Sequence, residues 1–269
     1  MNEQDFDFSQ FTQHSAEQLR DRMTNRQHVI APIPHDPDAA LREAEYWKRV
    51  RSTKKAELRP YRPDYTPQME FEEARTKFGK LLKAREAELA VFKRQQDFKI
   101  TFSAEQAQIV RDLLKWFIND ESSALPIHKG FYLYGSPGTF KTEIVKLLCK
   151  FAQQEQLSKA LQFMDISQIS DELLAKGPDV LEQVRMYDRV FDEWGRKTLP
   201  VSYFGNKVDP AEWALEMRYK RFKSFGQITC FISNFDPQTL EKNLSEMAFD
   251  RLGEMATSVR MPGESRRNS

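Results

Sequence analysis

The sequence predicts an α/β fold with a largely parallel central sheet, preceded by a helical N-terminal region. Two observations carry this. From about residue 100 onward, short apolar runs alternate with helical patterns, as strands joined by helical crossovers do. One of those runs, Phe131 to Tyr134, passes directly into a glycine-containing turn and a Lys-Thr pair that opens a helix.

Composition bounds the reading before any motif does. The chain has 269 residues, 40% hydrophobic and 30% charged, which suits about two domains with a real core. Lys+Arg at 41 against Asp+Glu at 40 leaves a net charge of +1, so any nucleic-acid surface must be a local patch. Cys149 and Cys230 are the only cysteines, far from every histidine. That excludes a Cys/His zinc finger, an iron–sulfur cluster and a disulfide framework. No apolar run approaches the roughly eighteen residues of a spanning helix. The start, MNEQDFDFSQFTQHS, is acidic and polar where a signal peptide is basic and then apolar. A soluble cytoplasmic protein without a membrane partner is expected.

Residues 1–36 read as an arm that lacks glycine and ends in Pro32 and Pro34. Phe6, Phe8 and Phe11 there serve either a partner or the chain's own domain. Residues 37–99 read as a helical, partner-binding region. A helix is expected from Asp38 to about Leu58, with Leu41, Tyr46, Trp47 and Val50 on its apolar side. The basic run that follows from Lys48 to Arg62 is either a phosphate contact or a solvated face near a helix end. Over residues 68–98, Phe71, Ala74, Phe78 and Leu82 form a stripe that continues past Arg85 to Leu89 and Phe92. One amphipathic helix packing on a neighbour or partner accounts for it.

Residues 100–269 read as the catalytic unit. Ser103 and Gln106 have capping-box spacing ahead of Ile109, Leu113, Leu114 and Phe117. The loop Gly135-Ser136-Pro137-Gly138-Thr139-Phe140-Lys141-Thr142 then lies between a buried strand and a helix, the P-loop arrangement. Exposed amides at a helix N-terminus surround phosphates with positive potential. Lys141 is placed to reach the β- and γ-phosphates of ATP, and the Thr142 hydroxyl to ligate Mg2+. Phe140 occupies a position where the pattern has glycine, so its ring either crowds the phosphates or demands an unusual backbone angle.

Downstream, Arg189-Val190-Phe191-Asp192-Glu193-Trp194-Gly195 supplies an acidic pair. Asp192 is the candidate Mg2+ ligand and Glu193 the group that polarises an attacking water. Asp188 and Arg189 interrupt the strand expected before them. Gln227 to Asn234 reads as a further strand ending in Ser-Asn, with Asn234 able to touch a γ-phosphate or to start the next turn.

The order GFYLYGSPGTFKT, FDEWG, DPAEWALEMRYKRF, ITCFISNFDPQTL, FDRLGEM, VRMPGESRR resembles the DnaC-type and IstB-type branch of AAA+ ATPases over roughly residues 100–267. The resemblance implies an AAA+-like P-loop NTPase fold, with Asn234 at the sensor-1 position. It implies that Arg251 is an arginine finger reaching an adjacent subunit's γ-phosphate in a homo-oligomer. It places Arg266 near nucleotide in cis, and Arg218 and Arg221 at a subunit interface or on DNA. Read without the resemblance, Arg251 is a helix-surface arginine pairing with Asp250 or Glu254. DnaC-type members load a replicative helicase onto single-stranded DNA, and IstB-type members regulate a transposase. The expectation is an ATP-dependent helicase loader whose N-terminal region grips the client. The alternatives are a transposition ATPase, a superfamily-3-like viral helicase and a pseudo-ATPase adaptor.

Overall fold

Five strands form the parallel sheet that the apolar runs predict. They are β1 (Gly130–Tyr134), β2 (Gln162–Asp165), β3 (Arg189–Asp192), β6 (Thr229–Ser233) and β7 (Ala256–Arg260), in the order β2-β3-β6-β1-β7. Every neighbouring pair is parallel. A separate antiparallel pair, β4 (Val201–Tyr203) with β5 (Asn206–Val208), has no counterpart in the sequence reading. The computed structural model describes residues 65–94, 98–169, 184, 187–196, 201–203 and 206–263. The arm, the helix expected over 38–58 with its basic run, Arg266 and Arg267 lie outside the described residues.

The sheet is buried on both faces, and the side-chain period of two sorts its residues between two cores. Phe131 and Leu133 of β1, Val190 of β3, and Cys230 and Ile232 of β6 point to one side. Tyr132, Phe191 and Phe231 point to the other. On the first side the strands meet α1 (Phe71–Lys93), α2 (Ala104–Phe117) and α3 (Lys141–Gln154). On the second they meet α4 (Pro210–Phe225), α5 (Pro237–Asn243) and α6 (Glu246–Met255).

Local chemistry explains where these helices start. Ser103 and Gln106 form the expected capping box on α2. Asp209 caps α4 by accepting from the Ala211 and Glu212 amides, with Pro210 in the first turn. Asp236 caps α5 and Ser245 caps α6 in the same way.

Two expectations need correcting. The strand before Asp192 is not irregular: all four residues of β3 are buried. The charge ahead of it is used, because the Asp188 carboxylate accepts from the Ile228 amide at 3.0 Å and ties the starts of β3 and β6 together. The stripe of α1 is real but shorter than its sequence pattern. Ala74 and Phe78 are buried, and Phe78 meets Phe151 of α3 edge-on at 6.1 Å. Phe92, on the same helical face, is 86% exposed. Arg85 already faces Glu143 in the first turn of α3, so the last turns of α1 run past the end of the surface they would pack on. α1 shares one core with α2 and α3.

Candidate nucleotide site

Three adjacent strands, β3, β6 and β1, end on the same edge of the sheet and deliver the acidic pair, Asn234 and the glycine loop side by side. Ligand sites in parallel α/β sheets lie at these C-terminal strand ends. A cavity of about 470 Å³ opens there, walled by Gly138 to Thr142 and by Asp192, Glu193 and Asn234. Ligand pockets commonly have volumes of this size.

The loop is shaped by backbone constraints. Gly135 has φ 154°, and a Cβ there would come within 2.2 Å of the Met261 carbonyl oxygen, so the loop lies tight against the end of β7. Phe140 is the N-cap of α3 with φ 69° and ψ 11°, in the left-handed region. The phenylalanine therefore keeps a backbone angle that glycine adopts without strain. The sequence offers a choice between a crowded loop and an unusual angle, and the angle is present. Helix α3 then presents first-turn amides that have no partners inside the helix, the feature that makes helix starts bind anions.

Lys141 is buried, and its Nζ donates to the carbonyls of Gly135 and Ser136, each at 2.8 Å. It also donates to Thr139 Oγ1 and Asn234 Oδ1, both at 3.2 Å. The ammonium thus sits among neutral oxygens that phosphate oxygens could replace. Thr142 Oγ1 donates to Asp192 Oδ1 at 3.2 Å, and the Glu193 amide donates to the same oxygen at 2.9 Å. Burial raises the Asp192 carboxyl above its ordinary value; Asp165 adds to this, while the Glu193 amide, Thr142 and Lys146 oppose it. Glu193 itself has φ 55°, a left-handed angle that is costly for a side chain of this kind. It is held by its neighbours. The Trp194 amide donates to the Ile232 carbonyl at 2.9 Å, and the Ser233 hydroxyl donates to the Trp194 carbonyl at 2.6 Å.

A hydroxyl and a carboxylate are the hard oxygen donors that Mg2+ takes, and this ion keeps most of its shell for water and phosphate oxygens. Among the described residues, no group of three or more His, Cys, Asp or Glu gathers to hold a metal without such help. Thr142 and Asp192 fit that requirement.

Of the candidate residues outside the cavity, Ser136 and Pro137 are exposed on the loop. Arg251 lies on α6, where it pairs with Glu216 of α4 and sits 5.2 Å from the Tyr219 ring centroid. Its partner is neither Asp250 nor Glu254. Arg218 is not a surface residue at all. It is fully buried and donates to the carbonyls of Tyr187 and Ile228, each at 2.7 Å, and to Thr229 Oγ1 at 2.8 Å. An interface or DNA role for Arg218 is thereby removed. Sequence reasoning missed Asp165, which pairs with Asp192 across β2 and β3, and missed Lys93 and Glu143 in the cavity wall. An acid closing an apolar strand could have flagged Asp165. Nothing local flags Lys93.

A buried lysine and a threonine on a glycine loop at the head of a parallel sheet define a P-loop NTPase fold. No protein-family profile matches the chain, and no curated protein does. Several solved structures are similar. DnaI is 18% identical, covers 64% of this chain and 89% of its own, and superposes with a TM-score of 0.46. The DnaC helicase loader is 17% identical, over 62% of this chain and 95% of its own, at 0.45. AMPPCP-bound DnaA from Aquifex aeolicus is 15% identical, over 60% of this chain and 48% of its own, at 0.45. No helix among the described residues is long and apolar enough to cross a membrane.

Proposed function

We propose that this chain is an ATP-dependent loader of a replicative helicase onto single-stranded DNA, with hydrolysis as an assembly and release switch. The observation that carries the nucleotide half is the convergence of Lys141, Thr142, Asp192, Glu193 and Asn234 on one cavity at three strand ends. The loader half rests on the order of motifs, which resembles that of DnaC-type proteins.

On this reading Lys141 exchanges its loop carbonyls for the β- and γ-phosphates, and the first amides of α3 hold the β-phosphate. Thr142 and Asp192 would hold Mg2+, which when bound would offset the negative charge of the phosphates. Glu193 orients and polarises the attacking water, and Asn234 fixes it or the γ-phosphate from the side. Arg251 exchanges Glu216 for the nucleotide of an adjacent copy, which ties turnover to homo-oligomer formation. The N-terminal residues grip the helicase, and Arg266 approaches nucleotide in cis.

The test uses the full chain with a hexameric replicative helicase and a single-stranded DNA circle. The wild type should transfer the helicase to DNA only with ATP, and Lys141→Ala should lose both ATP binding and transfer. Transfer that is independent of ATP, or intact in Lys141→Ala, would point to a passive adaptor instead.

A further inference from the structure

We propose that Lys93 is a second, cis-acting cation for the terminal phosphate of a nucleoside triphosphate, carried to the site by α1. This rests on the nucleotide reading of the cavity and adds a residue that discriminates triphosphate from diphosphate.

The placement follows from how α1 lies on α3. Lys77 pairs with Glu155 at 2.6 Å, Phe78 meets Phe151, and Arg85 pairs with Glu143. As numbers rise along α1 they fall along α3, so the two helices are antiparallel. The C-terminal end of α1 therefore arrives at the start of α3. The Arg85–Glu143 contact fixes that end, with Nε at 3.0 Å and Nη2 at 2.9 Å from one carboxylate oxygen. Lys93 lies eight residues further, about 12 Å at helical rise. Glu143 has only two residues of α3 before it. The end of α1 must overhang the phosphate mouth, and Lys93 indeed walls the cavity beside Phe140, Glu143, Glu193 and Asn234. Its Nζ lies 4.6 Å from the centroid of the Phe98 ring, which holds the ammonium without neutralising it.

The division of labour is electrostatic. Lys141 is the inner cation, embedded in the loop where a β-phosphate lies. Lys93 is the outer one, in the cavity wall that also carries Asn234 and Glu193, the residues assigned above to the γ-phosphate and the attacking water. Glu143 is already paired with Arg85, but Asp192 and Glu193 also line this cavity. A further cation offsets their repulsion of a triphosphate.

The experiment measures binding of fluorescent ATP and ADP analogues to the full chain. Lys93 is exposed at a helix end, so its truncation leaves the core intact. Lys93→Ala should weaken ATP about tenfold, the worth of one charge-assisted contact, and ADP less than about twofold. Lys93→Arg should restore ATP. Unchanged ATP affinity, or equal losses for ATP and ADP, overturns the proposal. Lys141→Ala in the same assay should lose both nucleotides; if it keeps both, the nucleotide reading fails first and Lys93 with it.

Discussion

Thr142 and Asp192 are fifty positions apart in the chain, yet the hydroxyl of the first donates to the carboxylate of the second at 3.2 Å. The parallel sheet makes this possible. β3 and β1 flank β6, so the end of one strand and the loop after the other meet across a single intervening strand. The pair is held in register by backbone, as the proposed Mg2+ ligation requires.

Asp192→Asn should therefore abolish the Mg2+ dependence of ATP binding while leaving metal-free binding in place. Calorimetric titrations with Mg2+ and with a chelator check this, and a surviving metal effect would move the ion elsewhere. Because burial raises the Asp192 carboxyl, protonation competes with the metal at higher pH than for an exposed aspartate. The Mg2+ benefit should fade on acidification, sooner than an ordinary carboxylate predicts.

Phe140 gives a test that isolates backbone strain from ring packing. Phe140→Gly and Phe140→Ala both remove the ring, but only glycine adopts φ 69° without a Cβ penalty. The glycine variant should be more stable than the alanine one by about 1 kcal/mol in urea unfolding. Equal stabilities would mean that the loop relaxes to another angle. Phe140→Gly should also raise the hydrolysis rate if the ring restrains turnover, and an unchanged or lower rate counts against that restraint.

Much of this site was legible because its signals are local. A glycine loop between an apolar run and a helical pattern fixes its own geometry, and Ser103 with Gln106 names a helix start. Asp192 and Glu193 were harder to read, since the residues before them look polar. The reason is that Asp188 acts at the strand's edge on the Ile228 amide just before β6, a partner no sequence window contains. Arg218 was misread for the same reason. Its acceptors lie on segments that only the fold brings together, and an arginine on a helix ordinarily faces water. Lys93 is invisible in sequence because it reaches the site through the antiparallel packing of α1 on α3.

Arg218 should behave as a structural keystone. Its guanidinium is buried, which pulls its pKa down to about 10, and it supports the starts of β3 and β6 through several acceptors. Arg218→Met should cost about 1–3 kcal/mol, because buried carbonyl and hydroxyl acceptors lose their donor. Denaturant unfolding reads this directly. Unchanged stability with weakened DNA binding would restore the surface role that its position in the fold removes.

The Arg251–Glu216 pair makes a different prediction, about assembly. If Arg251 serves a neighbouring copy, Glu216→Ala releases it and should raise ATPase activity at low protein concentration. Arg251→Ala should remove the dependence of specific activity on protein concentration altogether. A concentration series on both variants decides the matter. Retained concentration dependence in Arg251→Ala would leave the arginine as a tie between α4 and α6 only.

Lys159 offers a pH test of the fold. It is 2% exposed, and its Nζ donates to the Trp116 carbonyl at 2.6 Å and lies 4.0 Å from the centroid of the same indole. Burial lowers its pKa from 10.5 to about 7, against the opposing pull of Asp188. The unfolded chain therefore binds more protons than the folded one between about 7 and the ordinary lysine value. Stability must rise with pH across that window, and below it the charged, buried lysine is a standing cost. Lys159→Met removes the titrating group and leaves the Trp116 carbonyl a partner in the Asn119 amide at 3.3 Å. The unfolding free energy of wild type minus that of Lys159→Met should climb from about pH 7 toward the ordinary lysine value of 10.5. A flat difference would mean that Lys159 keeps its proton throughout and is not desolvated in the way its burial requires.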